Sequence, residues 1–329
     1  VGVQTLASAR AALEATRNTP VTPATRLIYF DSGVHTQEVG TIRPTELRGS
    51  YVEAFRSYPG MERNTLTFGG DWTYDDAAYW LNLGVKTVLS GSLSDTSAYT
   101  YTFLPTHTSD DQKSATIEFS TVDLISTVGW RVPGCLVNEL EVTWRKGETV
   151  RYNATVMSAK GATQITAFTG SLSDRTTVSA LGTTTQVYVD STTIGTTLDP
   201  KITEATFNLN NGYSYFDPLN DSNVAESLVR ANARQPRLTL QRRFNDKTEL
   251  DAYVAKTPRK IRVQTLGPLA GAATAKYTIQ LNFVGVIDTY TWAEVDGIWM
   301  ADMSLLPQYD ATLAYDFAWV IINKTASYT

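Results

Sequence analysis

Three pairs of carboxylates sit close enough along the chain to suggest shared acid–base work: Asp75 with Asp76, Asp110 with Asp111, and Glu294 with Asp296. Two carboxyl groups a few ångströms apart are the machinery of glycoside hydrolysis, one protonating the leaving group while the other stays ionised. Local context gives each pair a plainer role. Asp75 and Asp76 follow Thr73 in "TYDDAAYWLNLG", where negative charge complements a helix N-terminus. Asp110 and Asp111 lie in the polar run "THTSDDQK", and Glu294 and Asp296 flank a turn at Gly297. His35 and His107 are the two histidines, and neither stands in a recognisable nucleophile–base motif. "HTSDD" reads as a hydrated loop in preference to a metal site. The single cysteine, Cys135, allows neither an internal disulfide nor a cysteine-based zinc centre. No Gly-rich phosphate loop is present. The expectation is a non-enzyme without catalytic residues, cofactor or metal.

The totals narrow the class further. A chain of 329 residues that is 42% apolar has material for two domains with real cores. Its 28 basic and 33 acidic residues leave a net charge of −5, the wrong sign for gripping nucleic acid. No run approaches the ~20 apolar residues of a membrane helix, and Arg10 interrupts what would be the apolar middle of a signal peptide. A soluble, intracellular protein is expected. The seven tryptophans fall mostly inside apolar patterns, which points to core or subunit interface before a carbohydrate platform.

Elements must then be found to carry these residues. Segments such as "SATIEFS", "NELEVTW", "TVRYNATVM", "QVYVD", "ATFNLN", "KYTIQLNF" and "YDFAWVII" alternate apolar and polar residues, the period of a half-buried strand. Lys146-Gly147 in "RKGET" predicts a hairpin tip. Two short helices are predicted: "TYDDAAYWLNLG" with Thr73 as N-cap, closing at Gly84, and "NDKTELDAYVAKT" with Asp246 as cap and Glu249 as its capping-box partner. "LASARAALEATR" reads as a further helix or as a terminal arm. The chain also repeats itself. "NTLTFGGDWTYDDAAYWLNLG" and "RLTLQRRFNDKTELDAYVAKT" share their order of elements, Leu238 lying 172 residues after Leu66 (238 less 66) and Ala252-Tyr253 lying 174 after Ala78-Tyr79. The division expected is an arm over 1–29, a first β module over 30–160, a Thr/Ser/Gly-rich connector containing a strand over 161–200, and a second module over 201–329.

"NTLTFGGDWTYDDAAYWLNLGVK" followed by "YTYTFLP", then "VNELEVTWRKGETVRYNATVM", "ITEATFNLNNG" and "LTLQRRFNDKTELDAYV" together resemble the tail tube (major tail) proteins of long-tailed, non-contractile bacteriophages. The resemblance implies a mainly β fold: two tandem sandwich or split-barrel modules, each with a short flanking helix. It implies self-assembly into rings that stack around a lumen for DNA ejection, in a virion tail assembled in the host cytoplasm. One-module relatives form hexameric rings, so two modules imply a trimeric, pseudo-hexameric one. Tape measure, tail terminator and distal tail proteins are the partners implied. DNA would pass without tight binding, since each cationic contact with phosphate would slow it. The candidate lumen residues are Glu139, Glu141, Thr143, Glu148 and Thr149. The candidate inter-subunit or inter-ring contacts are Arg10, Arg17, Arg242, Arg243, Lys256, Arg259, Lys260 and Arg262. The alternative expectation is a phage adhesin or another trimeric, β-rich, carbohydrate-binding virion protein.

Overall fold

The computed structural model describes residues 8–21, 26–44, 56–122, 127–165, 168, 177–219, 222–271 and 274–328. The fold is mainly β. In chain order the strands of the first half are β1 (Ser8–Leu13), β2 (Arg26–Ile28), β3 (Ser32–Ile42), β4 (Tyr58–Asp71), β5 (Ser92–Asp95), β6 (Ala98–Phe103), β7 (Ala115–Val122), β8 (Thr127–Arg145), β9 (Arg151–Ser158) and β10 (Thr163–Ile165). Those of the second half are β11 (Thr185–Asp190), β12 (Ile202–Asn210), β13 (Tyr213–Phe216), β14 (Ser227–Arg230), β15 (Gln235–Arg243), β16 (Arg259–Leu269), β17 (Lys276–Val295), β18 (Ile298–Pro307) and β19 (Phe317–Asn323). Helix α1 (Tyr74–Gly84) follows β4, and α2 (Thr248–Ala255) follows β15.

The ladders among the described residues are antiparallel and run in one order twice. The first is β3-β4-β9-β8-β7-β1. The second is β12-β15-β18-β17-β16-β11. Within them Leu66 faces Val156 across β9, and Leu238 faces Leu305 across β18. The two ladders merge into one 17-stranded sheet because β12 pairs with the far end of β8, and β6 pairs with β19. The β13–β14 hairpin stands apart and covers Leu136 and Ala159 with Tyr213 and Leu228.

The core continues through the merger. Along β8, Leu140, Val142 and Trp144 point inward and are buried, as are Ala205, Phe207 and Leu209 along β12, the two-residue period of a strand with one dry face. Trp144 stacks on Trp319 at 5.8 Å, and Phe207 meets Trp319 edge-on at 5.4 Å.

Helix α1 is buried along its whole length between the two ladders. Thr73 caps it as the sequence predicts, accepting from Asp76 N at 3.0 Å. Its first turn is held from the second half by Asn323 Nδ2 on Tyr74 O at 2.9 Å and Tyr328 OH on Asp75 O at 2.8 Å. Its last residue is held by Asn211 Nδ2 on Gly84 O at 2.8 Å. Helix α2 departs from expectation at its start: Lys247 is the N-cap, Asp246 Oδ1 accepts from Thr248 N at 3.2 Å, and Glu249 binds Arg259 in place of closing a capping box. Nor is "SARAAL" helical. It forms β1 between β2 and β7, because Ala9 and Ala11 are small enough to lie flat on the adjoining ladder. The Lys146-Gly147 turn is present, with Gly147 at φ 91°, the left-handed backbone that the tip requires.

Candidate assembly surfaces

The polar face of the merged ladder is the complement of its dry face. Glu139, Glu141 and Thr143 alternate with the buried residues of β8, opposite Asn210, Asn208 and Thr206 of β12. Glu139 accepts from Asn210 Nδ2 at 3.1 Å and Glu141 from Asn153 Nδ2 at 3.3 Å, while the Thr143 and Thr206 hydroxyls meet at 3.3 Å. At the end of the row, Arg145 forms a two-pronged bond with Glu204, 3.0 Å to each oxygen, and contacts Glu148 at 3.6 Å. Thr149 donates to Asp71 at 2.7 Å, and Arg151 pairs with Asp31. Arg145 and Arg151 at this end of the face are matched by carboxylates, while exposed Arg237 of β15 stands opposite Asn208 in the same row as Glu141, so the face carries charges of both signs.

The basic residues singled out in the sequence are scattered, and most are engaged within the chain. Arg242 is 4% exposed and bonds Asp199 at 2.7 Å and Asp246 at 3.0 Å. Arg259 pairs with Glu249 at 2.9 Å, Lys260 with Asp310 at 2.6 Å, and Arg262 donates to Asn282 at 3.0 Å. Lys256 donates to the carbonyls of Ile287 at 3.0 Å and Asp288 at 3.4 Å. Arg10 covers the Phe168 ring at 4.5 Å, and Arg17 donates to Leu228 O at 3.3 Å. Arg243 is exposed at the end of β15.

The carboxylate pairs are placed as supports. Asp76 holds Thr73 and the nearly buried Arg26, whose Nη2 lies 2.8 Å from Asp76 and 2.6 Å from Asp75 O. Asp110 pairs with Arg230 at 2.7 Å, and Asp111 accepts from Ser109 at 2.7 Å and from Thr106, which hold its carboxyl below the usual range. Glu294 and Asp296 flank the β17–β18 turn. His35 bonds Asn64 at 3.0 Å, and burial pulls its pKa down. His107 lies 3.9 Å from Asp316. No group of three potential metal ligands occurs among the described residues. The sequence did not single out Glu14, which is fully buried and accepts from Asn18 N at 2.9 Å, Thr116 at 2.8 Å, Gly134 N at 2.8 Å and Ser114. Four donors satisfy it, so it braces the fold.

Among the described residues several strands, β2, β5, β10 and β11 included, carry a ladder along one side only, and two further edges stand out. Among the described residues β3 pairs only with β4, and the last third of β17 pairs only with β18. Exposed large apolar side chains gather there: Val34, Val39, Ile42 and Tyr58 at one edge, Trp292, Val295, Ile298 and Trp299 at the other. A family model described as phage tail tube protein matches residues 5–311. The chain belongs to that family. It is a structural tail protein, a component of the virion, and its family is one of self-assembling tubes. No curated protein matches its sequence significantly. No described helix is long and apolar enough to cross a membrane.

Proposed function

We propose that this tail tube protein forms a trimeric ring in which each chain supplies two β modules, and that stacked rings enclose the lumen through which DNA leaves the virion. The observation that carries this reading is the ladder order repeated within one chain, already joined edge to edge through β8 and β12. A module that accepts another module on one edge and offers an unused edge on the other propagates until it closes. The polar face bearing Glu139, Glu141 and Thr143 lines the lumen, with Glu148 and Thr149 at the adjoining hairpin tip. Arg243 serves contacts between subunits or rings, and tape measure and terminator proteins meet the two ends of the tube. The test is electron microscopy of the concentrated protein beside its mass in solution. Hollow rings or tubes built from trimers support the reading. A protein that stays monomeric at all concentrations refutes it, and a compact trimer without a hole returns the adhesin alternative.

A further inference from the structure

The internal joint is a template for the joint between chains. β8 and β17 correspond residue by residue because each bulges once against its hairpin partner, between Val137 and Glu139 in the first ladder and between Ile287 and Thr289 in the second. Superposing the bulges sets Asp288 on Asn138, Trp292 on Val142 and Ala293 on Thr143. β3 and β12 correspond as well. Leu66 has Val156 on one side and His35 on the other, and Leu238 has Leu305 and Phe207, so His35 occupies the place of Phe207. Inside the chain β12 lies on β8 with Phe207 opposite Val142, Thr206 opposite Thr143 and Asn208 opposite Glu141.

Resting on the ring reading above, we propose that β3 of a second copy of this chain docks antiparallel on the open edge of β17 in that same register, with His35 opposite Trp292, Val34 opposite Ala293 and Thr36 opposite Thr291. Among the described residues both edges are unpaired, and both carry apolar side chains left in water: Val34 is 56% exposed and Trp292 44%. The register sets Val34 against Ala293 and a threonine against a threonine, pairings that stabilise facing strands. It brings the imidazole of His35 beside the Trp292 indole. The carbonyls at the bulge confirm the correspondence of the two sites. Those of Val137 and Asn138 are bound by Asn211, from its side chain at 2.9 Å and its backbone at 2.7 Å, and those of Ile287 and Asp288 by Lys256. Lys256 thus stands where the incoming strand would end, guarding an edge that would otherwise recruit any strand. β3 and β17 are different surfaces, so the contact is head-to-tail and can close into a ring.

Cross-linking tests the register. Cysteines at Val34 and Ala293 reproduce the site of Thr206 and Thr143, whose hydroxyls are 3.3 Å apart, within the reach of a disulfide. V34C/A293C should give covalent dimers and trimers on oxidation, whereas either single variant and V34C/T291C, displaced two residues along the strand to ~7–8 Å, should not. Cys135 is fully buried and contributes none. Hydrogen exchange on the unaltered protein supplies a second readout: amides in 32–38 and 289–295 should gain at least tenfold protection on assembly. Rings that form without this cross-link and without that protection, or that cross-link through V34C/T291C instead, overturn the register and leave the ring reading standing. A wild-type protein that is monomeric by mass at all concentrations overturns both.

Discussion

Replacing Trp144 with alanine tests whether the two ladders share one core. The indole is 2% exposed, stacks on Trp319 at 5.8 Å, and donates from Nε1 to Thr265 Oγ1 at 3.1 Å. Its own strand belongs to the first ladder, while Thr265 lies on β16 of the second and Trp319 on β19, which pairs with β17 of the second. Removing a buried Trp side chain typically costs ~3–5 kcal/mol in lost burial and residual cavity. The lost hydrogen bond adds little, because the Thr265 hydroxyl keeps Thr185 at 2.8 Å. Urea unfolding followed by far-UV circular dichroism should show a single transition whose unfolding free energy falls by that amount at unchanged slope. Trp299→Ala is the comparison, since Trp299 is 58% exposed and its loss should cost the unassembled chain less than ~1 kcal/mol. Should Trp144→Ala instead lower stability by less than ~1 kcal/mol, or split the transition so that the second ladder melts unchanged, the shared core is wrong and the β8–β12 pairing is only a seam.

Arg26→Met removes the cation bonded to the Asp76 carboxylate, which is 8% exposed, and should cost ~3–5 kcal/mol in a thermal or urea melt; a loss under ~1 kcal/mol would show the pair to be solvated. Lys201 first, then Arg242, hold the Asp246 carboxyl below the usual range. A folded pKa below the unfolded one contributes stability that is complete above pH ~4 and lost as pH falls through the folded value. Asp246→Asn should therefore flatten the stability curve below pH ~4, and an unaltered acid limb would refute the assignment. Glu139→Lys with Glu141→Lys replaces two anions of the proposed lumen face with cations, which attract phosphate. Assembled variant protein should retain DNA at low salt and release it steeply as salt rises, and retention indistinguishable from wild type would place that face elsewhere.

What was legible in the sequence was whatever local periodicity encodes. Alternation marked most strands, Thr73 and the acidic first turn marked α1, and Lys146-Gly147 marked its hairpin. The spacing of Leu66 and Leu238 recurs in the ladders because both leucines hold the same place in the same pairing order. Local pattern failed where a distant partner decides. "SARAAL" has helix-forming residues but lies on β7. Asp246 lost its capping role to Lys247, and Arg242, read as a surface charge, is buried on carboxylates from two other segments. That Glu139, Glu141 and Thr143 share the polar face of β8 was recoverable from alternation alone. Val34 and Trp292 were not, because an exposed apolar residue on an edge strand has the same period as a buried one. The signal that finds them is the internal offset: once His35 is set on Phe207, the partner of Phe207 names the partner of His35.

The unequal finish of the two joints follows from how each must form. A joint within one chain escapes most of the translational and rotational cost of association, ~4–15 kcal/mol. It also forms in the same event that buries the helix between the ladders, so it can be built from residues that would be dangerous if exposed: Trp144, Phe207 and Trp319 are all at 2% or less. A joint between chains has to survive as two open edges. There the equivalents of Val142 and Phe207 are Trp292 and His35, amphipathic rings that tolerate water. The carbonyls at the start of the edge are occupied by a lysine that has to be outcompeted only at the last rung. On this reasoning, removing that lysine loosens control more than it loosens the fold. Lys256→Ala should leave the unfolding free energy of the unassembled chain, from urea melts, within ~0.5 kcal/mol, as expected for a partly exposed amine, while speeding assembly and broadening its products, followed by light scattering. A variant that assembles no faster than wild type, into the same species, would show that Lys256 merely fills a bulge.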